Sequence, residues 1–113
     1  MRRAKDIGTG AETWVVNNIP VRSIRRENGH LWDVSVLPLD AFNIQVKCRQ
    51  TWEARAWARD YLTEKRQAVV MFPRDLRKKD QPPRTVMIHW DSFIEYLELL
   101  QEKHGIPPKP TAE

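Results

Sequence analysis

Apolar positions in this chain recur with two alternating periods, and the places where the period changes mark its elements. Ala11, Val15 and Ile19 stand four apart, and Thr9 with Glu12 has the spacing of a capping box. A first helix is predicted over residues 10–18, stopped before Pro20. The period then drops to two. Residues 21–26 read as a strand, Asn28-Gly29 as a hairpin turn, and residues 31–37 as a second strand. Strict alternation puts Trp32, Val34 and Val36 on one side of that strand, and Leu31, Asp33 and Ser35 on the other. Pro38-Leu39-Asp40 turns the chain into a third strand over residues 42–47. There Phe42, Ile44 and Val46 oppose Asn43, Gln45 and Lys47.

The helical period returns after Thr51, an expected cap. Ala54, Trp57, Ala58, Tyr61 and Leu62 form the stripe of a helix reaching about Gln67. Residues 68–72 are continuously apolar, the pattern of a strand covered on both faces. A basic, proline-containing loop over 74–84 leads to a fifth strand at 85–89. Ser92 and Glu95 suggest a second capping box, opening a last helix with Phe93, Leu97 and Leu100 on one side and Gly105 at its end. The pattern therefore predicts an α/β fold in the order αβββαββα, with a mixed central sheet of about five strands flanked by helices. Residues 1–105 are expected to form a single domain and residues 106–113 a Pro-rich flexible tail.

Length and composition narrow the picture. With 113 residues, 41% of them hydrophobic, one core is feasible without staples, and a single cysteine excludes an internal disulfide. Cys48 follows Lys47 and so turns to the apolar side of its strand, where an inert thiol is expected. No apolar run approaches a bilayer span, and no signal-peptide segment follows the basic start, so a cytoplasmic location is expected. The net charge of +4 leans mildly toward polyanions. Its distribution says more: Arg22, Arg25 and Arg26 fall together, as do Arg74, Arg77, Lys78, Lys79 and Arg84. With Arg49, these are the candidate phosphate contacts. Trp52, early in the second helix, is a candidate for stacking on a base. His30, His89 and His104 lack metal-ligand spacing.

The residues that carry chemistry lie on the second and third strands. Asp33 is mid-strand, where Asp is disfavoured, and Gln45 and Lys47 project from one face of the next strand. A carboxylate, an amide oxygen and an ammonium then converge. Hard divalent cations take such oxygens, and a neighbouring lysine orients water or stabilises phosphate charge. The same alternation also fits an ordinary half-exposed sheet, with Asp33 and Lys47 as a cross-strand ion pair. Glu12, as the third residue of a capping box, needs no further role.

Asp33, eleven further residues and then Gln45-Val46-Lys47 resemble the signature of the PD-(D/E)XK nuclease superfamily. Within it, the chain is most similar to Holliday junction resolvases and their phage-encoded relatives, over about residues 7–100. The resemblance implies a restriction-endonuclease-like core and a metal-dependent DNA endonuclease that hydrolyses phosphodiester bonds in branched DNA. It implies Mg²⁺ or Mn²⁺ held by Asp33, the Gln45 side-chain carbonyl and the helix carboxylate Glu12, with the Val46 carbonyl assisting. Lys47 would place the attacking water, arginines among Arg22, Arg25 and Arg26 would meet DNA, and two copies would act as a homodimer. Three departures stand out: Trp32 replaces the proline before Asp33, Gln45 replaces an acidic residue, and residues 25–30 lack a Ser/Gly-rich loop. A non-catalytic DNA-binding module with the same fold is the alternative, and an interaction domain without DNA affinity is a third reading.

Overall fold

A computed structural model of the chain describes residues 4–27, 29–38, 41–74 and 79–110, with side chains described from residue 10 onward. The elements run α1 (Ala4–Asn18), β1 (Ser23–Arg25), β2 (Val34–Val36), β3 (Phe42–Arg49), α2 (Ala54–Tyr61), β4 (Gln67–Pro73), β5 (Thr85–Ile88) and α3 (Trp90–His104). The five strands form one open mixed sheet in the spatial order β1-β2-β3-β4-β5. β3 and β4 are parallel and the other neighbouring pairs antiparallel. A parallel pair needs a crossover, which α2 supplies.

The two faces of the sheet carry separate cores. On one, Ala11 and Val15 of α1 pack with Val34, Ile44, Val46, Ala68, Val70 and Phe72, and Cys48 lies partly buried against them. On the other, Trp57 of α2 packs with Val69 and Met71, joined by Trp52, Tyr61, Leu62 and Met87. Alternation along β3 and β4 divides the residues between these cores, so every residue of β4 is buried, as its unbroken apolar run predicts.

Several boundaries differ from the sequence pattern. α1 begins at Ala4, so Thr9 lies inside the helix rather than at its start. The capping-box reading of Glu12 falls with it. α2 starts at Ala54 behind Glu53, which makes no side-chain cap, and it ends at Tyr61; Thr51 is not its cap, and Gln67 belongs to β4. α3 is capped by His89, whose Nδ1 accepts from the Asp91 N–H at 3.0 Å. Ser92 therefore stands in the first turn, buried, with its Oγ accepting the Arg66 N–H at 2.6 Å. This long-range bond explains why a cap-type residue sits one turn too late. Gly105, at φ +63°, closes α3 in the left-handed conformation that glycine adopts without strain. Residues 106–110 continue exposed and without regular structure. The turn residues Asn28, Leu39 and Asp40 lie outside the described residues. Among the described residues no helix is long and apolar enough to cross a membrane.

Candidate active site

β2 is shorter than its alternation suggests because it changes character at Asp33. Arg26 and Asp33 still join β1 to this segment, the Arg26 N–H donating to the Asp33 carbonyl at 2.9 Å. Toward β3 the register slips. Val34 pairs with Ile44, yet the Asp33 N–H also reaches the Ile44 carbonyl, at 3.1 Å. The next β3 donor, the Val46 N–H, is taken by the Asp33 carboxylate instead, Oδ2 accepting at 2.9 Å. A side chain thus replaces a strand carbonyl where the two strands part. The facing also breaks here. Val34 and Val36 meet the α1 core, but Trp32 turns to the other side of the sheet, its ring 5.9 Å from that of Tyr61 on α2. The expectation that Trp32 shares the Val34 face is corrected by this bend.

The gap joins residues from both sides of the sheet. Glu12 reaches Asp33 from α1. Its carboxyl is pushed up to about 7, first by burial, then by a hydrogen bond to Asp33 and that residue's charge, against a lowering by Arg25. Arg25 Nε lies 3.6 Å from Glu12 Oε2, and its guanidinium also donates to Thr13 at 3.4 Å. Two carboxyls share one neighbourhood, with one guanidinium at its edge.

Gln45 and Lys47 approach from the α2 side. Parallel register sets them beside Val69 and Met71, so both belong to the face that α2 covers. Gln45 is 8% exposed, and among the described residues its Oε1 has no hydrogen-bond partner. The other buried glutamine shows how unusual this is. Gln67 Oε1 accepts from the Thr63 N–H at 3.0 Å and the Glu64 N–H at 3.2 Å, closing the turn after α2. A buried amide oxygen left without a donor is costly and calls for a ligand or a reason. The Asp33 carboxylate accepts from the peptide that links Gln45 to Val46, while the Gln45 side chain itself belongs to the α2 face.

Lys47 does not pair with Asp33. Its Nζ donates to the Tyr61 hydroxyl at 3.3 Å and lies 5.0 Å from the centre of that ring. Tyr61 is the neighbour of Lys47 that sequence reasoning missed. Its place in the α2 stripe marks it as core, and only the packing of α2 over β3 shows its hydroxyl meeting the lysine.

The basic residues divide between several places. Arg49 lies two residues beyond Lys47, and Arg74 follows Pro73, its register partner, so both stand at the C-terminal end of the parallel pair. Both exert a lowering influence on the Cys48 thiol, which burial nevertheless pushes up, in keeping with an inert side chain. Arg26 donates to Ser35 Oγ at 3.1 Å, and Ser35 in turn to Asn43 Oδ1 at 2.7 Å. Arg22 lies next to the Ser23–Val36 pair, toward the opposite end of the sheet from Lys47. Arg84 lies over the Trp14 ring at 4.3 Å, on the α1 side. Lys79 is exposed, while Arg77 and Lys78 lie outside the described residues. Trp52 is tied down rather than free to stack, its Nε1 donating to the carbonyls of Arg49 at 3.1 Å and Phe72 at 3.4 Å.

Among the described residues, no three His, Cys, Asp or Glu side chains are grouped to hold a metal ion. The available oxygens are two carboxyls, Glu12 and Asp33, and the Gln45 amide. That set suits a hard cation that keeps most of its water, and it suits zinc or copper poorly. No family model, no curated protein and no solved structure matches the chain.

Proposed function

We propose that the chain is a divalent-metal-dependent DNA endonuclease with a restriction-endonuclease-like core, acting on branched DNA. The observation that carries this reading is the orphan Gln45 Oε1, on the residue whose following peptide N–H is held by Asp33 of a crowded Glu12–Asp33 pair. A cation there would answer both defects at once, giving the amide a partner and allowing both carboxyls to ionise. Asp33, Glu12 and Gln45 would hold Mg²⁺ or Mn²⁺. Such an ion would supply charge neutralisation at the phosphate and lower the pKa of a bound water.

The protein residues have separable tasks. The Val46 N–H fixes the Asp33 carboxylate, and Arg25 fixes Glu12. Tyr61 holds the Lys47 ammonium on the α2 side, from which it stabilises negative charge developing on the phosphate. Arg49 and Arg74 lie at the same end of the sheet, placed to meet backbone phosphates in a salt-sensitive, largely sequence-independent grip. Labelled four-way junction and linear duplex, incubated with Mg²⁺ or Mn²⁺, test the reading. Metal-dependent nicks that favour the junction are expected.

A second reading keeps the DNA and removes the chemistry. Asp33 already has a structural task at Val46, Lys47 is engaged by Tyr61, and Gln45 contributes no charge. Binding to both substrates without nicks across a metal series would favour this non-catalytic module.

A further inference from the structure

Three neighbouring strands bring arginines to one end of the sheet. Arg49 closes β3, Arg74 follows the last residue of β4, and Arg84 precedes the first of β5. β4 runs parallel to β3 and antiparallel to β5, so these three positions form a row across the sheet. At a strand spacing of about 4.8 Å the row is about 10 Å long. Its centre is the register pair Cys48 and Phe72: Arg49 and Arg74 both act on the Cys48 thiol, and the Arg84 guanidinium lies 5.7 Å from the Phe72 ring centre. Among the described residues none of the three pairs with a carboxylate, whereas Arg25, Arg59 and Arg66 pair with Glu12, Asp60 and Glu95. The row is therefore a place where positive charge is gathered and left unneutralised.

Arg84 is held differently from the other two. Its guanidinium lies 4.3 Å from the centre of the Trp14 ring, and Trp14 meets Phe72 edge-on with centroids 5.4 Å apart. Trp14 is 39% exposed, so α1 supplies a shelf at the surface. A guanidinium attracted to a ring keeps its N–H donors for other acceptors, and among the described residues those of Arg84 meet none. We propose that Arg84, held on Trp14, is a phosphate anchor that completes the row of Arg49 and Arg74, with Trp14 as its positioning residue. The inference rests on the DNA-binding reading above and adds a path for the DNA. At one phosphate per 3.4 Å of axis, one strand of a duplex presents about three phosphates over about 10 Å. The planar fork of arginine meets phosphate oxygens in pairs. Trp14 orders the side chain before DNA arrives, so less rotamer freedom is lost on binding. The row starts two residues beyond Lys47 and leads across β4 to β5. Arg22, toward the opposite end of the sheet, lies off this path.

The test uses the full chain without divalent metal, so that binding is read without cleavage. A labelled four-way junction is followed by fluorescence anisotropy across a salt series. Arg84→Gln is expected to weaken binding ~10-fold and to reduce the salt slope by about 0.9, the value of one phosphate contact. Arg22→Gln removes the same charge at the other end and should leave the slope at the parent's value. Arg84→Lys keeps the charge and loses the fork, so affinity should fall ~3-fold with the slope unchanged. Trp14→Leu should weaken binding ~3-fold in the parent and not at all in the Arg84→Gln background, a coupling that a merely structural role would not produce. Circular dichroism verifies folding. Should Trp14→Leu not fold, Trp14→Phe takes its place and should weaken binding in the parent alone. A slope insensitive to Arg84→Gln, an equal loss from Arg22→Gln, or a Trp14 effect that persists without Arg84 overturns the proposal and leaves DNA binding standing. A parent that binds no junction at low salt overturns both. Equal, Arg84-dependent binding of poly-glutamate would make an acidic protein the partner and also overturns it.

Discussion

The Asp33 carboxylate accepts the Val46 backbone N–H at 2.9 Å, in the place where a carbonyl of β2 would stand had the ladder continued. One residue therefore terminates a strand pairing and sets an acidic group into the gap it creates. Any catalytic role of Asp33 is built on that structural one.

Asp33→Ala should consequently cost stability, on the order of 1–3 kcal/mol for a backbone donor left without its partner. Asp33→Asn keeps an acceptor oxygen and should recover most of that loss. Under the proposed activity both variants lose metal-dependent cleavage, because neither carries a carboxylate at this position. Urea unfolding and a nicking assay on the three proteins separate the effects, and an Asp33→Ala variant as stable as the parent would show that the bond contributes nothing.

Glu12 makes stability depend on pH. Its carboxyl is raised to about 7 in the folded protein, mainly by burial and then by Asp33, against an ordinary value of 4.5. Between those two values the native state holds more protons than the unfolded chain, so stability falls as pH rises. The contribution is fully present below the unfolded value and lost on passing through the folded one. Glu12→Gln should flatten this segment of the profile and gain relative to the parent above pH ~7. Thermal melts without divalent metal, at a series of pH values, measure it. Added Mg²⁺ should reduce the difference if the pair binds the ion.

Gln45 decides whether the site belongs to a metal. Gln45→Glu is expected to lower the Mg²⁺ concentration for half-maximal cleavage, and Gln45→Ala to raise it or abolish activity. Three superimposable metal curves would mean that the buried oxygen of Gln45 serves no ion.

Tyr61 and Lys47 offer a graded test. Tyr61→Phe retains the ring under the ammonium and loses the 3.3 Å hydrogen bond, a change of about 1 kcal/mol, or under tenfold in rate. Tyr61→Leu loses both contacts and should be slower still. Junction affinity should stay level across the series, since Tyr61 has no part in the proposed DNA contacts.

Ser92 joins α3 to the turn after α2. Ser92→Ala leaves the Arg66 N–H without its 2.6 Å acceptor and should destabilise the protein by roughly 1–3 kcal/mol. Hydrogen exchange should show the loss concentrated in α3 and residues 63–66.

Much of the architecture is written in local patterns. The burial of β4 on both faces follows from an unbroken apolar run, and the ends of α1 and α3 follow from Pro20 and Gly105. That Gln45 and Lys47 share one face of β3 was legible from alternation. Local pattern failed where a long-range bond took over a residue that looked like a cap. Ser92 serves Arg66, twenty-six residues away, and His89 caps in its place. It failed again at Asp33, where alternation assumes a continuous ladder. A carboxylate that satisfies the Val46 N–H ends that ladder and lets Trp32 cross to the Tyr61 side. By itself the sequence determined which residues are apolar, that strands and helices mix around one sheet, and which polar side chains of β3 share a strand face, because these depend on periodicity. The tertiary structure alone decided that Glu12 meets Asp33, that Tyr61 takes the Lys47 ammonium and that Gln45 Oε1 is left without a donor. Those outcomes depend on how two helices settle on opposite faces of one sheet, and no spacing along the chain encodes that distance.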